Sequence, residues 1–306
     1  MRGAFVRALM REAAKDERIT LITGDLGFGV LKPFWETYPK QFINAGIAEQ
    51  GMTSMASGLA RTGRTVITYS IGNFPTLRCL EQIRNDCAYH EANVKVVCVG
   101  GGFVYGSLGM SHHATEDMAI IRALPGVTVF TPGDPAEVEA VVPVMLQTPG
   151  TCYLRLGRGG EPTLHDQPID EWQPPKALTL REGEDVALLS AGGILTQTVS
   201  AAKLLAERGV SAEVVSFPCL KPIDREKILD LARRFSLLVT VEEHTVVGGF
   251  GSAVAEVVTD EGLPTRVKRI GMPDIYSSIV GTQQYLRGVY AMDDEAICEK
   301  TLAWLG

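Results

Sequence analysis

The sequence predicts an α/β protein of two domains, each a mostly parallel sheet flanked by helices. Short runs of β-branched and other apolar residues alternate with longer amphipathic runs, as in strands joined by crossover helices. This alternation stops once, in a polar stretch rich in proline, and then resumes. The length of 306 residues suits two domains, and 45% hydrophobic residues is enough for two cores.

Residues 1–160 are predicted to form the first domain. Its β-rich runs predict strands at 64–69, 94–100, 128–131 and 152–156. The longer amphipathic runs predict helices at 49–61, 76–89, 115–123 and 135–147. Such an order favours parallel strands, whose carboxyl ends meet at one edge of the sheet.

Residues 161–184 are predicted to be a linker, because four prolines lie there among many polar residues. Residues 185–306 are predicted to form a second, smaller domain. Its strands are expected at 185–190, 212–216, 237–241 and 266–271. Its helices are expected at 196–208, 224–235 and 251–261.

Composition and charge exclude several classes of function. The net charge is −7 with acids and bases interspersed, which argues against a nucleic-acid partner. No apolar run is long enough to cross a membrane, and the N-terminal segment lacks the pattern of a signal peptide. The six cysteines form no C-x-x-C pair, so we expect free thiols, no metal site and a cytoplasmic location.

Glu49 is the most informative single residue. It follows small apolar residues and begins an apolar stretch that is predicted to be a buried helix. A carboxylate in that place loses water, so it must find a partner or take a proton. A protonated carboxyl group can donate a hydrogen bond to a heteroaromatic ring nitrogen. The alternative is a carboxylate that only stabilises the N-terminus of its helix.

Three further loops follow predicted strands, which is where ligands of open α/β sheets bind. Asp25 lies after the apolar run 19–23 and either contacts a ligand or starts a turn. Phe74 lies between a strand and a helix, so its ring either stacks on a planar ligand or packs in the core. Residues 100–113 form a glycine-rich loop that ends in two histidines, which suit hydrogen bonding or proton donation better than metal binding.

Two arginines lie at the end of the last predicted strand of the first domain. Arg155 and Arg158 lie among glycines, so they either hold an anion such as a phosphate or form structural ion pairs. In the second domain, residues 248–251 are glycine-rich and allow close approach of the backbone. No nucleophile or metal-ligand pattern is evident there.

In combination, these segments resemble the transketolase family over nearly the whole chain. Three segments are similar to the transketolase pyrimidine-binding domain: residues 44–50, 81–85 and 109–117. Three more are similar to the transketolase C-terminal domain, in a pattern shared with deoxyxylulose phosphate synthase: residues 241–244, 248–251 and 270–274. The expected architecture is therefore a pyrimidine domain followed by a transketolase C-terminal domain.

The resemblance implies thiamine diphosphate as cofactor and assigns roles to individual residues. Glu49 would hydrogen-bond the aminopyrimidine ring, Phe74 would stack on it, and Asp25 would lie near the cofactor at a partner interface. His112 would contact the donor hydroxyl and the developing oxyanion. Arg158 would bind a substrate phosphate. Glu49 and His112 are thus the predicted catalytic residues.

Four positions depart from the family pattern. Ile71 lies in the cofactor pocket at a position that is usually aromatic, and Gly100 stands where a phosphate-binding histidine often occurs. At the substrate, His113 replaces a usual glutamine, and Leu108 replaces an aspartate that would accept a hydrogen bond from a sugar hydroxyl. We therefore expect a modified or unusual sugar rather than an ordinary pentose phosphate.

The resemblance also implies a partner. Transketolases hold the diphosphate and Mg²⁺ with a G-D-G motif and a following asparagine, and neither 24–26 nor 133–135 fits that motif. The expected partner is an N-terminal transketolase-like subunit that binds the diphosphate and provides most of the Mg²⁺ ligands. The expected assembly is α2β2.

The predicted reaction is transfer of a two-carbon ketol unit from a ketose to an aldehyde. Two other thiamine enzymes remain as alternatives: a deoxyxylulose-phosphate-synthase-like enzyme and the E1 β subunit of a 2-oxoacid dehydrogenase. A non-enzymatic alternative is a silent homologue that binds or regulates a thiamine enzyme.

Overall fold

The computed structural model describes residues 1–306 and contains two sheets flanked by helices, which confirms the predicted fold class. The strands are β1 (Ile19–Thr23), β2 (Phe42–Asn44), β3 (Thr65–Ile71), β4 (Val94–Val99), β5 (Thr128–Phe130), β6 (Cys152–Leu156), β7 (Leu178–Arg181), β8 (Val186–Ala191), β9 (Ala212–Ser216), β10 (Cys219–Lys221), β11 (Leu237–Thr245) and β12 (Arg266–Met272). The α-helices are α1 (Arg2–Ala13), α2 (Phe28–Thr37), α3 (Glu49–Ala60), α4 (Leu80–Gln82), α5 (Asp117–Ala123), α6 (Pro135–Gln147), α7 (Leu195–Glu207), α8 (Arg225–Arg234), α9 (Phe250–Asp260), α10 (Gln283–Val289) and α11 (Asp294–Leu305).

The first sheet has seven strands in the order β10-β5-β6-β4-β3-β1-β2. All neighbouring pairs are parallel except β10 with β5. Strand β4 is buried along its whole length, as expected for a parallel strand covered on both faces. The loops after β1, β2, β3, β4 and β6 therefore meet at one edge of the sheet, where the candidate site residues lie.

The second sheet has five strands in the order β12-β11-β8-β9-β7, and only β7 is antiparallel. Strand β10 follows β9 in the chain but pairs with β5 of the first sheet. The two sheets are thus tied together by a strand as well as by side-chain packing. None of the helices is both long and apolar enough to cross a bilayer.

Two predicted segments differ from the structure. Residues 76–89 form a 3₁₀ turn, the single turn α4 and a π-helical stretch instead of one regular helix. The Thr76 hydroxyl donates to Gly72 O, which offers the backbone a local alternative to a regular first turn. Strand β7 lies inside the predicted linker 161–184. The prediction missed this short edge strand because the prolines before it indicated a linker. The domain bounds 1–160 and 185–306 stay a prediction.

Candidate active site

Glu49 is the first residue of α3 and is only 4% exposed. Its Oε2 accepts a hydrogen bond from Nη1 of Arg78 at 2.8 Å, and its Oε1 accepts none. Arg78 itself is 47% exposed. A buried carboxylate needs a partner or a proton, and in this chain it has a partner that reaches in from solvent.

Asp25 lies at the same edge of the sheet, in the loop after β1. The preceding Gly24 lies beside α3, where a Cβ would be in ordinary van der Waals contact with Cγ of Glu49 at 3.6 Å. Asp25 is held by Asn44 at the end of β2, whose Nδ2 donates to Asp25 Oδ1 at 2.9 Å. Its φ of 55° is unusual for a residue with a side chain and fits the turn alternative. A ligand contact of Asp25 stays a prediction.

Phe74 and His112 extend the site from Glu49 in a continuous row. The guanidinium carbon of Arg78 lies 4.4 Å from the centre of the Phe74 ring. The rings of Phe74 and His112 are 5.1 Å apart and nearly perpendicular, at 71°. Phe74 is half-buried, as is Ile71 at the end of β3. The segments that follow β2, β3 and β4 thus place a carboxylate, a guanidinium, an aromatic ring and an imidazole side by side.

The loop that contains His112 is held closely against β3. Gly72 has a φ of 50°, and a Cβ there would be 3.1 Å from His112 O, so the contact requires glycine. Asn73 Nδ2 donates to the carbonyl oxygen of His113. The His112 ring is half-buried, and its Nδ1 lies 3.0 Å from Oγ of Ser111. The imidazole is therefore positioned but still accessible.

The two other predicted residues of this loop have opposite surroundings. His113 is 3% exposed, with Nε2 3.3 Å from Gly106 O and its ring edge-on to Phe103 at 5.1 Å. Its contacts assign it to the interior, and its substrate contact stays a prediction. Leu108 is 55% exposed in a short helical turn, so an apolar side chain faces solvent near His112.

The structure separates Arg155, which lies in β6, from Arg158, which follows that strand. Arg155 is buried and donates from Nε to Asp117 Oδ2 at 2.8 Å, which is the structural alternative. Arg158 is exposed, and its guanidinium lies 5.7 Å from the centre of the Tyr105 ring. That ring is 6.5 Å from the His112 ring. Arg158 is therefore the arginine that remains available for an anion next to the row.

Arg158 also lines a cavity of about 350 Å³ between the two domains. Arg155 and Arg287 line it as well, together with Glu243 and the glycines 192 and 193. The cavity is polar and rich in guanidinium groups.

Sequence reasoning missed Arg78 and Tyr105. Arg78 lies in the predicted helix 76–89, but Phe74 precedes that helix and Glu49 lies on another one, so helical spacing gave no signal that the three meet. Tyr105 gave no signal, since nothing in a glycine-rich loop fixes the direction of one aromatic ring.

One group of metal-binding residue types lies away from this row. Ligand atoms of Asp134, Glu137 and His165 are all within 4.8 Å of one another. Asp134 accepts from the backbone of Glu137 and of Leu164, and Glu137 accepts from Gly133 N and contacts the His165 ring at 2.9 Å. These oxygens are already used to cap α6 and to fix residues 164–165, so the group has a structural role.

Comparison with known proteins agrees with this geometry. The model of the transketolase pyrimidine-binding domain matches residues 1–161, and the model of the transketolase C-terminal domain matches residues 175–297. The chain belongs to the transketolase family. Enzymes of this family transfer ketol units and use thiamine diphosphate, and this chain is a transketolase-type subunit.

Three transketolase relatives have the same extent as this chain. One of the subunits of the apulose-4-phosphate transketolase of Phocaeicola vulgatus is 33% identical, over 99% of this chain and 97% of the relative. The 6-deoxy-6-sulfo-D-fructose transketolase subunit SqwH of Clostridium sp. (strain MSTE9) is 35% identical, over 97% and 92%. A solved split-gene transketolase, described as an inactive β4 tetramer, is 35% identical with a TM-score of 0.91, over 99% and 97%. The resemblance seen in the sequence is confirmed.

Proposed function

We propose that this chain supplies the pyrimidine side of a thiamine diphosphate site, and that an N-terminal transketolase-like subunit supplies the diphosphate side with its Mg²⁺. The observation that carries the proposal is the row of Glu49, Arg78, Phe74 and His112 at the carboxyl edge of a parallel sheet. Open α/β sheets bind ligands at this edge.

The residues present suit a flat heteroaromatic ring. Glu49 has one carboxylate oxygen without a hydrogen bond, so this oxygen can share a proton with a ring nitrogen. Phe74 offers a half-buried ring for stacking. Arg78 is half-exposed and able to move outward, or to keep its bond to the other oxygen. When bound, thiamine diphosphate supplies a carbon acid that reacts with carbonyl groups.

The remaining residues of the row serve the sugar. His112 is accessible and placed to donate a hydrogen bond to a hydroxyl or to an oxygen that gains negative charge. Arg158 provides a guanidinium for a terminal anion of the substrate. Asp25 is exposed in the loop after β1, beside Asn44, and we place the interface with the partner subunit there.

The proposed reaction is two-carbon ketol transfer from a modified sugar to an aldehyde. Leu108 is exposed and cannot accept a hydrogen bond from a sugar hydroxyl, and Ile71 widens the pocket where an aromatic residue is usual. The names of two relatives state sugars with a phosphate and with a sulfo group, both anionic. An anionic sugar with fewer or displaced hydroxyls fits Leu108 and Arg158 together.

The proposed assembly is α2β2, located in the cytoplasm. Both named relatives are subunits, matched over 97% and 92% of their own length, which supports a second polypeptide for the diphosphate. The inactive β4 tetramer of the solved relative describes the state that we expect without the partner. Six free, buried cysteines suit a reducing compartment.

Reconstitution tests this proposal. The chain is purified alone and together with the product of a neighbouring gene that encodes G-D-G and the metal asparagine, and both samples receive thiamine diphosphate and Mg²⁺. Ketose donors and aldehyde acceptors, with and without phosphate or sulfonate groups, are screened by mass spectrometry. We expect turnover only in the mixture. Turnover of a ketose by the isolated chain would contradict the shared site.

A further inference from the structure

We propose that Glu243 of the second domain is a positioning residue, which holds the base of the loop that carries His112. The inference rests on the role of His112 proposed above. Glu243 lies in β11 and is 3% exposed, and its partners belong to both domains. Sequence reasoning assigned the second domain no part in the site.

The carboxylate of Glu243 is fixed by several donors. Its Oε1 accepts from the backbone N–H of Phe103 at 2.6 Å and from Nε2 of Gln283 at 2.9 Å. Its Oε2 accepts from Nε of Arg287 at 2.5 Å and from the same Gln283 amide at 3.0 Å. The buried charge is thus paired and hydrogen-bonded, so the carboxylate stays in one orientation. Phe103 N–H is the one donor that comes from the first domain.

That contact lies where the loop begins and ends. Gly102 and Ala114 hydrogen-bond each other in both directions, at 2.7 and 3.0 Å, and close the loop between them. Gly102 has a φ of 67°, and a Cβ there would be 2.4 Å from Glu243 Oε1, so the close approach requires glycine. His112 is only two residues before Ala114.

The second domain contacts the same base from other directions. The Phe103 ring stacks on Tyr290 at 5.4 Å. Inside the loop, Gly281 N donates to Gly106 O at 3.3 Å. Arg155 Nη2 donates to both Ala114 O and Glu243 O, at 2.9 and 3.0 Å. Glu243 is the centre of this clamp, because it is the charged side chain of the second domain that binds the loop backbone directly.

The expected function of the clamp is to keep His112 beside Phe74. Without an acceptor, the Phe103 N–H would be buried and unpaired, and the base of the loop would open more often. A displacement of His112 by about 1 Å costs rate more than binding, because orientation matters most in the transition state.

Amide hydrogen exchange of the isolated full chain tests the clamp without cofactor or partner. Glu243→Met removes the acceptor with little change of volume. Glu242→Met is the matched control: Glu242 is the neighbouring buried carboxylate of β11 and accepts only from Phe250 N and Gly251 N of its own domain. We expect residues 102–114 to exchange at least about tenfold faster in Glu243→Met and unchanged in Glu242→Met. Equal exchange of this loop in the two variants would overturn the proposal.

Gly102→Ala disturbs the same contact from the loop side and serves if Glu243→Met does not fold. It should raise exchange in the same residues, and slow exchange there would count against the clamp.

In the reconstituted complex, Glu243→Met should lower kcat with KM nearly constant, and the loss should not add to that of His112→Ala. Additive losses would leave Glu243 without a role in positioning His112. A complex that is inactive even as wild type would refute the proposed function, while the exchange experiment would still decide the clamp.

Discussion

Two carboxylate–arginine pairs in the first domain have the same length and opposite surroundings. Glu49 meets Arg78 and Asp117 meets Arg155, each at 2.8 Å. Arg78 is 47% exposed, whereas Arg155 is 4% exposed. The first pair closes over the candidate cofactor site, and the second lies at the junction of the two domains.

The difference lies in what else each pair holds. Asp117 Oδ2 also accepts from the Tyr153 hydroxyl at 2.7 Å, and Arg155 binds two backbone carbonyls. Arg78, in contrast, makes no hydrogen bond besides the one to Glu49, while each of the two carboxylates has one oxygen without a hydrogen bond. A distance alone therefore does not tell a removable pair from a structural one. The burial of the arginine and its other hydrogen-bond partners distinguish the two kinds of pair.

Breaking the buried pair should have the largest effect on stability. Arg155→Met leaves Asp117 buried without its counter-ion and frees two carbonyl groups, so we expect a loss of about 3–5 kcal/mol in the free energy of unfolding. Urea unfolding followed by circular dichroism measures it. A loss below about 1 kcal/mol would mean that this pair contributes no more than a surface ion pair does.

His244 is a buried histidine near the Asp117–Arg155 pair, and it gives a pH-dependent prediction for these buried surroundings. Burial lowers the pKa of His244 to about 4, and its Nε2 accepts from Ala119 N–H while Nδ1 lies 2.7 Å from Thr245 O. Since the folded-state pKa is below the unfolded value of about 6.5, the contribution of His244 to stability is fully present above pH 6.5. This contribution falls as the pH drops toward 4. His244→Gln should remove this loss, which amounts to at most about 3 kcal/mol for the wild type.

The test for His244 is the difference in the free energy of unfolding between wild type and His244→Gln, measured by urea unfolding from pH 4 to pH 7.5. The difference is needed because Glu242, whose pKa is raised to about 7 by burial, changes stability in the opposite sense over an overlapping range. Asp117 and Arg155 also act on His244, in opposite directions. Parallel curves for wild type and variant would show that His244 does not titrate in this way.

The pair with the half-exposed arginine should give the smallest effect on stability. Arg78→Met leaves Glu49 at a site that solvent can reach, where it can take a proton, so we expect a smaller loss in the free energy of unfolding than in Arg155→Met. The same urea experiment measures it beside Arg155→Met. A loss as large as that of Arg155→Met would show that Arg78 is a structural residue, and the comparison would fail.

Much of the fold and part of the site followed from the sequence. The alternation of apolar runs located most strands of both sheets, because parallel strands buried on both faces leave a strong local signal. Strand β10 was missed, since its pairing with β5 depends on a contact almost 90 residues away in the chain. The motifs around Glu49, Phe74 and His112 identified residues that do lie together.

What the sequence did not contain was the set of partners. Arg78 beside Glu49 depends on how an irregular helical segment turns after Phe74. Glu243 beside Phe103 joins residues that are 140 positions apart. The interior position of His113, next to the accessible His112, depends on the same packing. A residue's type and its spacing predict chemistry, but tertiary contacts decide which atoms stay available for it.

The most direct test of the central claim is deuterium exchange at C2 of bound thiamine diphosphate, followed by NMR in the reconstituted complex. Glu49→Gln keeps the size of the side chain and removes the acid group, and Glu81→Gln, an exposed carboxylate outside the row, is the control. The account predicts that Glu49→Gln abolishes exchange while cofactor binding stays largely intact, and that Glu81→Gln exchanges at the wild-type rate. Exchange at the wild-type rate in Glu49→Gln would contradict the claim that this carboxylate activates the cofactor.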